Sequence, residues 1–132
     1  MPLEAEPAVD AAAARRFRDP TIAPIATSLG DLRSRIDALD ARIVALLAER
    51  ALCVRDATRF KRDPQQVRAQ ARQAEVIARV RRLADAQVPH QPWLADIVDA
   101  TYRAMVAGFV AAEQRLLDET DLIEPLSERT SS

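Results

Sequence analysis

Between Ser28 and Lys61 the chain reads SLGDLRSRIDALDARIVALLAERALCVRDATRFK. Ser28 followed three residues later by Asp31 is typical of a helix N-terminus, and neither proline nor glycine interrupts the stretch after that point. Apolar residues recur at alternating steps of three and four, the spacing of one helix face; they are Leu29, Leu32, Ile36, Leu39, Ile43 and Leu46. The stretch predicts a single helix of about nine turns, and its apolar stripe must pack against other helices.

Charged side chains interrupt or flank this stripe at three positions. Arg50 stands where the spacing calls for an apolar residue; a guanidinium there either extends off the helix edge, pairs with an internal carboxylate or meets a ligand. Lys61, the only lysine of the chain, lies about 16 Å beyond Arg50 along the helix axis and on nearly the same helix face. Arg33 precedes Arg50 by about 25 Å. One small ligand cannot contact both arginines of a straight helix, whereas two antiparallel copies could bring them together.

Three helices are expected in all. The first covers about residues 29–60, the second about 65–87 and the third 93–118, with Pro64 and Pro92 at the breaks. Alanine and leucine dominate and there are only two glycines, a composition that favours an all-helical fold over a sheet. Two shorter helices cannot cover a first helix of about 45–50 Å in a compact monomer. The sequence therefore predicts a helical homodimer.

Composition also narrows the classes of function. We expect a flexible arm over 1–27, one helical domain over 28–118 and a flexible tail over 119–132. The net charge of −1 gives no reason to expect nucleic acid or an anionic membrane surface as a partner. Because no apolar run is long enough for a membrane span and no secretory signal is evident, a cytoplasmic protein is expected.

Most catalytic constellations are missing from the sequence. There is no cluster of histidine and cysteine for a metal, no glycine-rich phosphate loop and no nucleophile motif. The single Cys53 reads as a small core residue, and His90, the only histidine, lies between prolines and is not expected to act in catalysis. What remains is a set of fixed cations and one amide, namely Arg33, Arg50, Lys61, Arg72 and Gln114. Such a set suits an anionic substrate whose reaction needs no proton from the protein.

The run LRSRIDALDARIVALLAER, followed by RFK, Arg72 and AEQ at 112–114, resembles the all-helical chorismate mutases, including their isochorismate pyruvate lyase branch, over about residues 29–118. The resemblance implies an intertwined dimer of three-helix subunits with two equivalent sites and no cofactor. It implies that Arg33 of the partner subunit and Arg50 bind the two carboxylates of a dicarboxylate substrate and that Arg72 supports this binding. It also implies that Lys61 and Gln114 flank the enolpyruvyl ether oxygen.

Two positions depart from the family pattern. Gln73 falls where mutases often carry a glutamate that holds the ring hydroxyl, and Ala69 replaces an acid that is common one turn earlier. These departures bear on which substrate is used. The leading hypothesis is a chorismate mutase that converts chorismate to prephenate. The alternatives are an isochorismate pyruvate lyase, which forms salicylate and pyruvate, and a non-catalytic helical dimer that binds or regulates a partner.

Overall fold

Helices make up most of the part of the chain that the computed structural model describes, which is residues 14–87, 91 and 93–123. In order they are α1 (Leu29–Ala57), a short 3-10 helix (Thr58–Phe60), α2 (Pro64–Arg68), α3 (Gln70–Gln87) and α4 (Trp93–Asp118). No strand occurs in these described ranges. The predicted all-helical fold with one very long N-terminal helix is confirmed. His90, residues 1–13 of the predicted arm and residues 124–132 of the predicted tail lie outside the described residues.

The N-terminus of α1 forms as its sequence predicts. The Ser28 hydroxyl accepts a hydrogen bond from the backbone N–H of Asp31 at 3.1 Å, which satisfies one of the free amide groups of the first turn. The Asp31 carboxylate in turn accepts from Arg35 Nε at 3.1 Å. The helix is about 43 Å long and contains no buried residue. Its apolar stripe is open, with Ile36 55% and Leu46 61% exposed.

The contacts within the chain divide it into two units, Met1–Ala48 and Glu49–Ser132. The division falls inside α1, so the first unit carries the N-terminal part of that helix and the second carries its last turns together with the other helices. The domain limits expected from the sequence, at residues 27 and 118, therefore stay predictions. The second unit is the one that holds the buried side chains described below.

A break at Ala69 divides the predicted second helix into two pieces. α2 begins at Pro64 with Asp63 as its N-cap, whose carboxylate accepts from the backbone N–H of Gln66 at 2.8 Å. Ala69 then adopts a left-handed conformation, with φ 40° and ψ 57°, before α3 starts. Local sequence gives no sign of this break because alanine is the strongest helix former. Val67 on α2, two residues before the break, is only 2% exposed and contributes to the core.

α3 and α4 pack against each other through apolar side chains and one charged cluster. The buried residues of the two helices include Val76, Ile77, Val80 and Ala84 on α3, and Ala95 on α4. Arg81 donates from one terminal nitrogen to Asp96 and from the other to Asp99, each at 2.9 Å. Hydrogen bonds to Asp96 and Asp99 raise the pKa of Arg81. Hydrogen bonds from Arg103 and then Arg81 lower the pKa of Asp99. This cluster links the two helices whose facing sides carry much of the site.

Candidate active site

The second unit contains a cavity of about 370 Å³, lined by the last turns of α1, by α2 and α3, and by one face of α4. Its lining residues are Arg50, Cys53, Val54, Ala57, Lys61, Val67, Arg68, Ala69, Arg72, Gln73, Val76, Arg79, Tyr102, Val106, Phe109, Val110 and Glu113. The size suits a small molecule. Within the described ranges no group of three metal-ligating side chains comes together, and no described helix has the length and hydropathy to cross a membrane.

The cavity is strongly cationic. Its lining contains five positively charged side chains and a single carboxylate, that of Glu113; the cations are Arg50, Lys61, Arg68, Arg72 and Arg79. Like charges close together repel one another, so this arrangement is unfavourable until an anion arrives. Valine and aromatic side chains make up much of the rest of the wall. The site therefore offers several charges for the anionic groups of a ligand and apolar surface for its carbon skeleton.

Arg50 is held over an aromatic ring. Its guanidinium carbon lies 5.1 Å from the centroid of the Phe109 ring, within the range of a cation–π contact. This contact explains how an arginine fits into an apolar stripe of α1. The contact holds the guanidinium beside the ring, and the N–H donors of a guanidinium lie in the plane of the group.

Lys61 lies immediately after the 3-10 helix and belongs to a small polar network. Its ammonium nitrogen is 4.0 Å from Glu113 Oε2 and donates to the carbonyl of Gln66 at 3.4 Å. The Thr58 hydroxyl lies 3.3 Å from the same Glu113 oxygen. Lys61 is 24% exposed along its side chain and Glu113 only 10%. The ammonium group therefore lies at the border between the cavity and the buried interior.

Arg72 and Gln73, both expected in the site from the sequence, line the cavity. Arg72 lies 3.6 Å from the carboxylate of Glu75, in an exposed pair one turn apart on α3. The Gln73 amide nitrogen donates to the carbonyl of Arg68, across the break at Ala69. Gln73 therefore helps to hold the end of α2 against the start of α3.

Two other residues expected in the site lie elsewhere in the described structure. The Gln114 amide donates to the carbonyl of Pro64 at 3.1 Å, which links α4 to the first residue of α2, and Gln114 is not among the residues that line the cavity. Arg33 lies on α1 in the first unit and is half-buried, while the cavity lining starts at Arg50. The structure thus brings together Arg50, Lys61, Arg72 and Gln73.

Three charged residues of the cavity were missed in the sequence. Arg68 and Arg79 are ordinary surface arginines by spacing, and nothing local distinguishes them. Glu113 did carry a signal. It follows Val106 and Phe109 by steps of seven and four residues, so it continues an apolar face of α4 as a charged residue, in the same way as Arg50 does on α1. A charged residue that continues the apolar spacing of α4 therefore marks Glu113 in the sequence.

Comparisons with known proteins agree with this architecture. Neither the curated proteins nor the solved structures give a significant match. The model of one protein family, described as Chorismate mutase type II, matches residues 32–114, which is more than half of the chain and includes both Arg33 and Gln114. It also covers every residue that lines the cationic cavity. The chain belongs to the chorismate mutase type II family.

Proposed function

We propose that the protein catalyses the Claisen rearrangement of chorismate to prephenate. The observation that carries the proposal is the charge of the cavity, which has five cations and one carboxylate in about 370 Å³. Chorismate is a dicarboxylate with an apolar ring skeleton, so it matches both the charges and the apolar wall. The only carboxylate of the lining already has Lys61 and Thr58 as partners, and the cavity contains no histidine.

The rearrangement is unimolecular and pericyclic, so the protein must select a compact conformer of the substrate and stabilise charge. Arg50, oriented by Phe109, would bind one carboxylate by two parallel hydrogen bonds. Lys61 would stabilise the negative charge that develops on the ether oxygen as its bond to carbon breaks. Arg72 would support substrate binding, and the Gln73 amide oxygen would accept from the ring hydroxyl. None of these roles needs a proton transfer or a cofactor.

The proposal includes a second copy of the chain. The apolar stripe of α1 is open to solvent, with Leu39 48% and Ile43 54% exposed, and an open stripe of this kind favours association. A helix about 43 Å long packed antiparallel on its copy would bring Arg33 of the partner subunit toward Arg50. Arg33 would then grip the second carboxylate, and Gln114 would act at the rim where it bonds to Pro64.

Subunit mixing tests this shared site. Arg33→Ala and Arg50→Ala proteins should each be inactive as homodimers. After equal mixing and subunit exchange, each heterodimer has one site with both arginines, so about a quarter of wild-type activity should return. Exchange is confirmed by native mass spectrometry of differently labelled chains. If activity stays absent in a mixture that contains heterodimers, Arg33 and Arg50 do not share a site across subunits.

One observation favours testing isochorismate beside chorismate. Ala69 lies in the cavity wall where many mutases have an acid, so the wall carries no carboxylate there to read the position of the ring hydroxyl. The two substrates differ in where that hydroxyl stands. The wild-type protein should be incubated with each, and prephenate, salicylate and pyruvate measured. Prephenate from chorismate supports the mutase, salicylate from isochorismate supports the lyase, and no product from either supports a non-catalytic dimer.

Lys61 variants then test the mechanism. Loss of a preorganised charge of this kind costs about 10²–10³ in rate, so Lys61→Met and Lys61→Ala should both lower kcat by that factor. Lys61→Arg should be intermediate, because it keeps the charge in a larger planar group. Arg82→Met, at an exposed position of α3 outside the cavity, is the control. Near wild-type turnover by Lys61→Met would show that Lys61 has no electrostatic role.

A further inference from the structure

We propose that Glu113, held by the buried hydroxyl of Thr58, positions the ammonium group of Lys61 in the cavity. Glu113 is a carboxylate in a cavity that otherwise attracts anions, and it is only 8% exposed. It cannot bind a carboxylate of the substrate, because the two would repel each other. In the described structure its carboxylate lies beside the Thr58 hydroxyl and the Lys61 ammonium group, and these are the groups on which it acts.

Thr58 is the fixed point of this arrangement. It is 1% exposed, and its hydroxyl lies 3.1 Å from the carbonyl of Val54 and 3.3 Å from Glu113 Oε2. A hydroxyl has one proton, so these two acceptors share it; the contact with Glu113 is the longer of the two, and the charge of the carboxylate strengthens it. The carbonyl of Thr58 also accepts from the backbone N–H of Lys61 at 3.1 Å. One buried residue therefore holds the backbone of Lys61 directly and its side chain through Glu113.

The ammonium group needs such a restraint. A lysine side chain has four rotatable bonds, and ordering it costs conformational entropy. Its backbone is extended, at φ −97° and ψ 136°, and lies outside the helices on either side. The carbonyl of Gln66 accepts a hydrogen bond from the nitrogen at 3.4 Å, and the Glu113 carboxylate attracts it electrostatically from 4.0 Å. Together they restrict it before a substrate arrives. Preorganisation of this kind is what electrostatic catalysis requires.

An alternative is that the Glu113–Lys61 pair only stabilises the fold. The distance of 4.0 Å is at the limit of an ion pair, and burial of a carboxylate offsets much of what such a pair contributes. The pair is thus a weak source of stability. The positioning of a catalytic cation is the better reason for a buried acid here. The effect on turnover rests on the proposed function, whereas the order of the side chain does not.

Because Lys61 is the only lysine, the order of its side chain can be measured alone. Full-length protein labelled with ¹³C-lysine and purified with a lysine-free tag gives a single lysine Cε signal, and its relaxation gives an order parameter. The variants are Thr58→Val, which keeps the shape and removes the hydroxyl, Glu113→Gln, which removes the charge, and Thr58→Ser, which restores the hydroxyl. Thr120→Val is the matched control, because Thr120 also bonds to a backbone carbonyl but has no carboxylate partner in the described structure.

The order parameter should fall in Thr58→Val and in Glu113→Gln and stay at the wild-type value in Thr58→Ser and Thr120→Val. Since the cation is displaced rather than removed, kcat should fall about tenfold in the first two, with KM changed less than about threefold. A wild-type order parameter for Lys61 in both Thr58→Val and Glu113→Gln would overturn the proposal that Glu113 positions the ammonium group. A lower order parameter with unchanged kcat would overturn the role of that positioning in turnover. If the wild-type protein converts neither substrate, the proposed function fails, while the order parameters still decide the positioning. The two variants change the network from opposite ends, so where only one of them folds, wild-type order in that variant alone overturns the positioning.

Discussion

The role of Arg50 can be separated from its contribution to stability. Arg50→Met replaces the guanidinium by an apolar side chain of similar length on a stripe that is otherwise apolar. The cation–π contact with Phe109, at 5.1 Å, contributes about 0.5–2 kcal/mol. Against that loss, removal of one of five cations from the cavity relieves repulsion, and a methionine packs well against the neighbouring valines. We expect the free energy of unfolding to change by less than about 1 kcal/mol.

Activity should respond much more strongly. Two hydrogen bonds to a charged carboxylate are worth about 1.5–3 kcal/mol each, so loss of both should lower kcat/KM by about 10²–10⁴. Arg50→Lys keeps the charge but not the planar fork, and we expect a loss of about tenfold to a hundredfold. Phe109→Leu keeps apolar volume and removes only the stacked ring. It should cost about twofold to tenfold, since the guanidinium is then less well oriented.

The assay is the rate of loss of chorismate absorbance for each variant, beside thermal unfolding followed by circular dichroism. Arg82→Met, which removes a cation from an exposed position outside the cavity, is the control for charge alone. The reasoning would be refuted if Arg50→Met kept turnover within about threefold of wild type while its stability fell by more than about 2 kcal/mol. Arg50 would then be a structural residue whose stacking on Phe109 is its whole purpose.

Three further outcomes are expected. Hydrogen bonds from Arg103 and Arg81 lower the pKa of Asp99 in the folded protein below its ordinary value of 3.8. Their contribution to stability is therefore present above pH 3.8 and is lost as the pH falls through the lower pKa of the folded state. The difference in Tm between wild type and Asp99→Asn should shrink on acidification, and a constant difference would contradict this. Ala69→Gly should keep or raise Tm. Glycine relieves about 1–2 kcal/mol of strain in the left-handed backbone conformation, and this outweighs the cost of about 0.5–1 kcal/mol from the greater conformational entropy of glycine in the unfolded chain. A lower Tm would show that the backbone of Ala69, at φ 40°, is not strained. Ile43→Asp should shift the protein from dimer to monomer in sedimentation velocity, because it places a charge on the open apolar stripe.

The sequence predicted the helices well where local signals and tertiary structure agree. The start of α1 follows from Ser28 and Asp31, and its length follows from the unbroken apolar spacing. The break at Ala69 could not be predicted, because alanine prefers a helix and nothing in the neighbouring sequence marks a break. A left-handed residue that is neither glycine nor asparagine gives no local warning.

Candidate site residues could be picked out where a charge interrupts an apolar pattern or matches a family motif. Arg50, Lys61 and Arg72 stood out among the charged residues and Gln73 came from the resemblance; all four line the cavity, and their roles stay predictions. Glu113 was missed although it interrupts a stripe of α4, because the family motif marks its neighbour Gln114. Which of two adjacent side chains enters a cavity depends on the rotation of α4 by about 100° per residue. That rotation is set by packing against α3, and the sequence pattern alone gave it only approximately.

The charges of the cavity also affect the stability of the protein when no ligand is bound. Five cations line a cavity of about 370 Å³. The single carboxylate of the lining, that of Glu113, already contacts Thr58 and Lys61. Arg50 and Lys61 are partly buried, where a charge is unfavourable unless it is paired. Arg68, Arg72 and Arg79 are exposed to solvent, which screens their charges. The cation–π contact compensates for Arg50, and Glu113 compensates in part for Lys61. The remaining surplus of positive charge is what an anionic ligand would neutralise, and under the proposed function that ligand is a dicarboxylate.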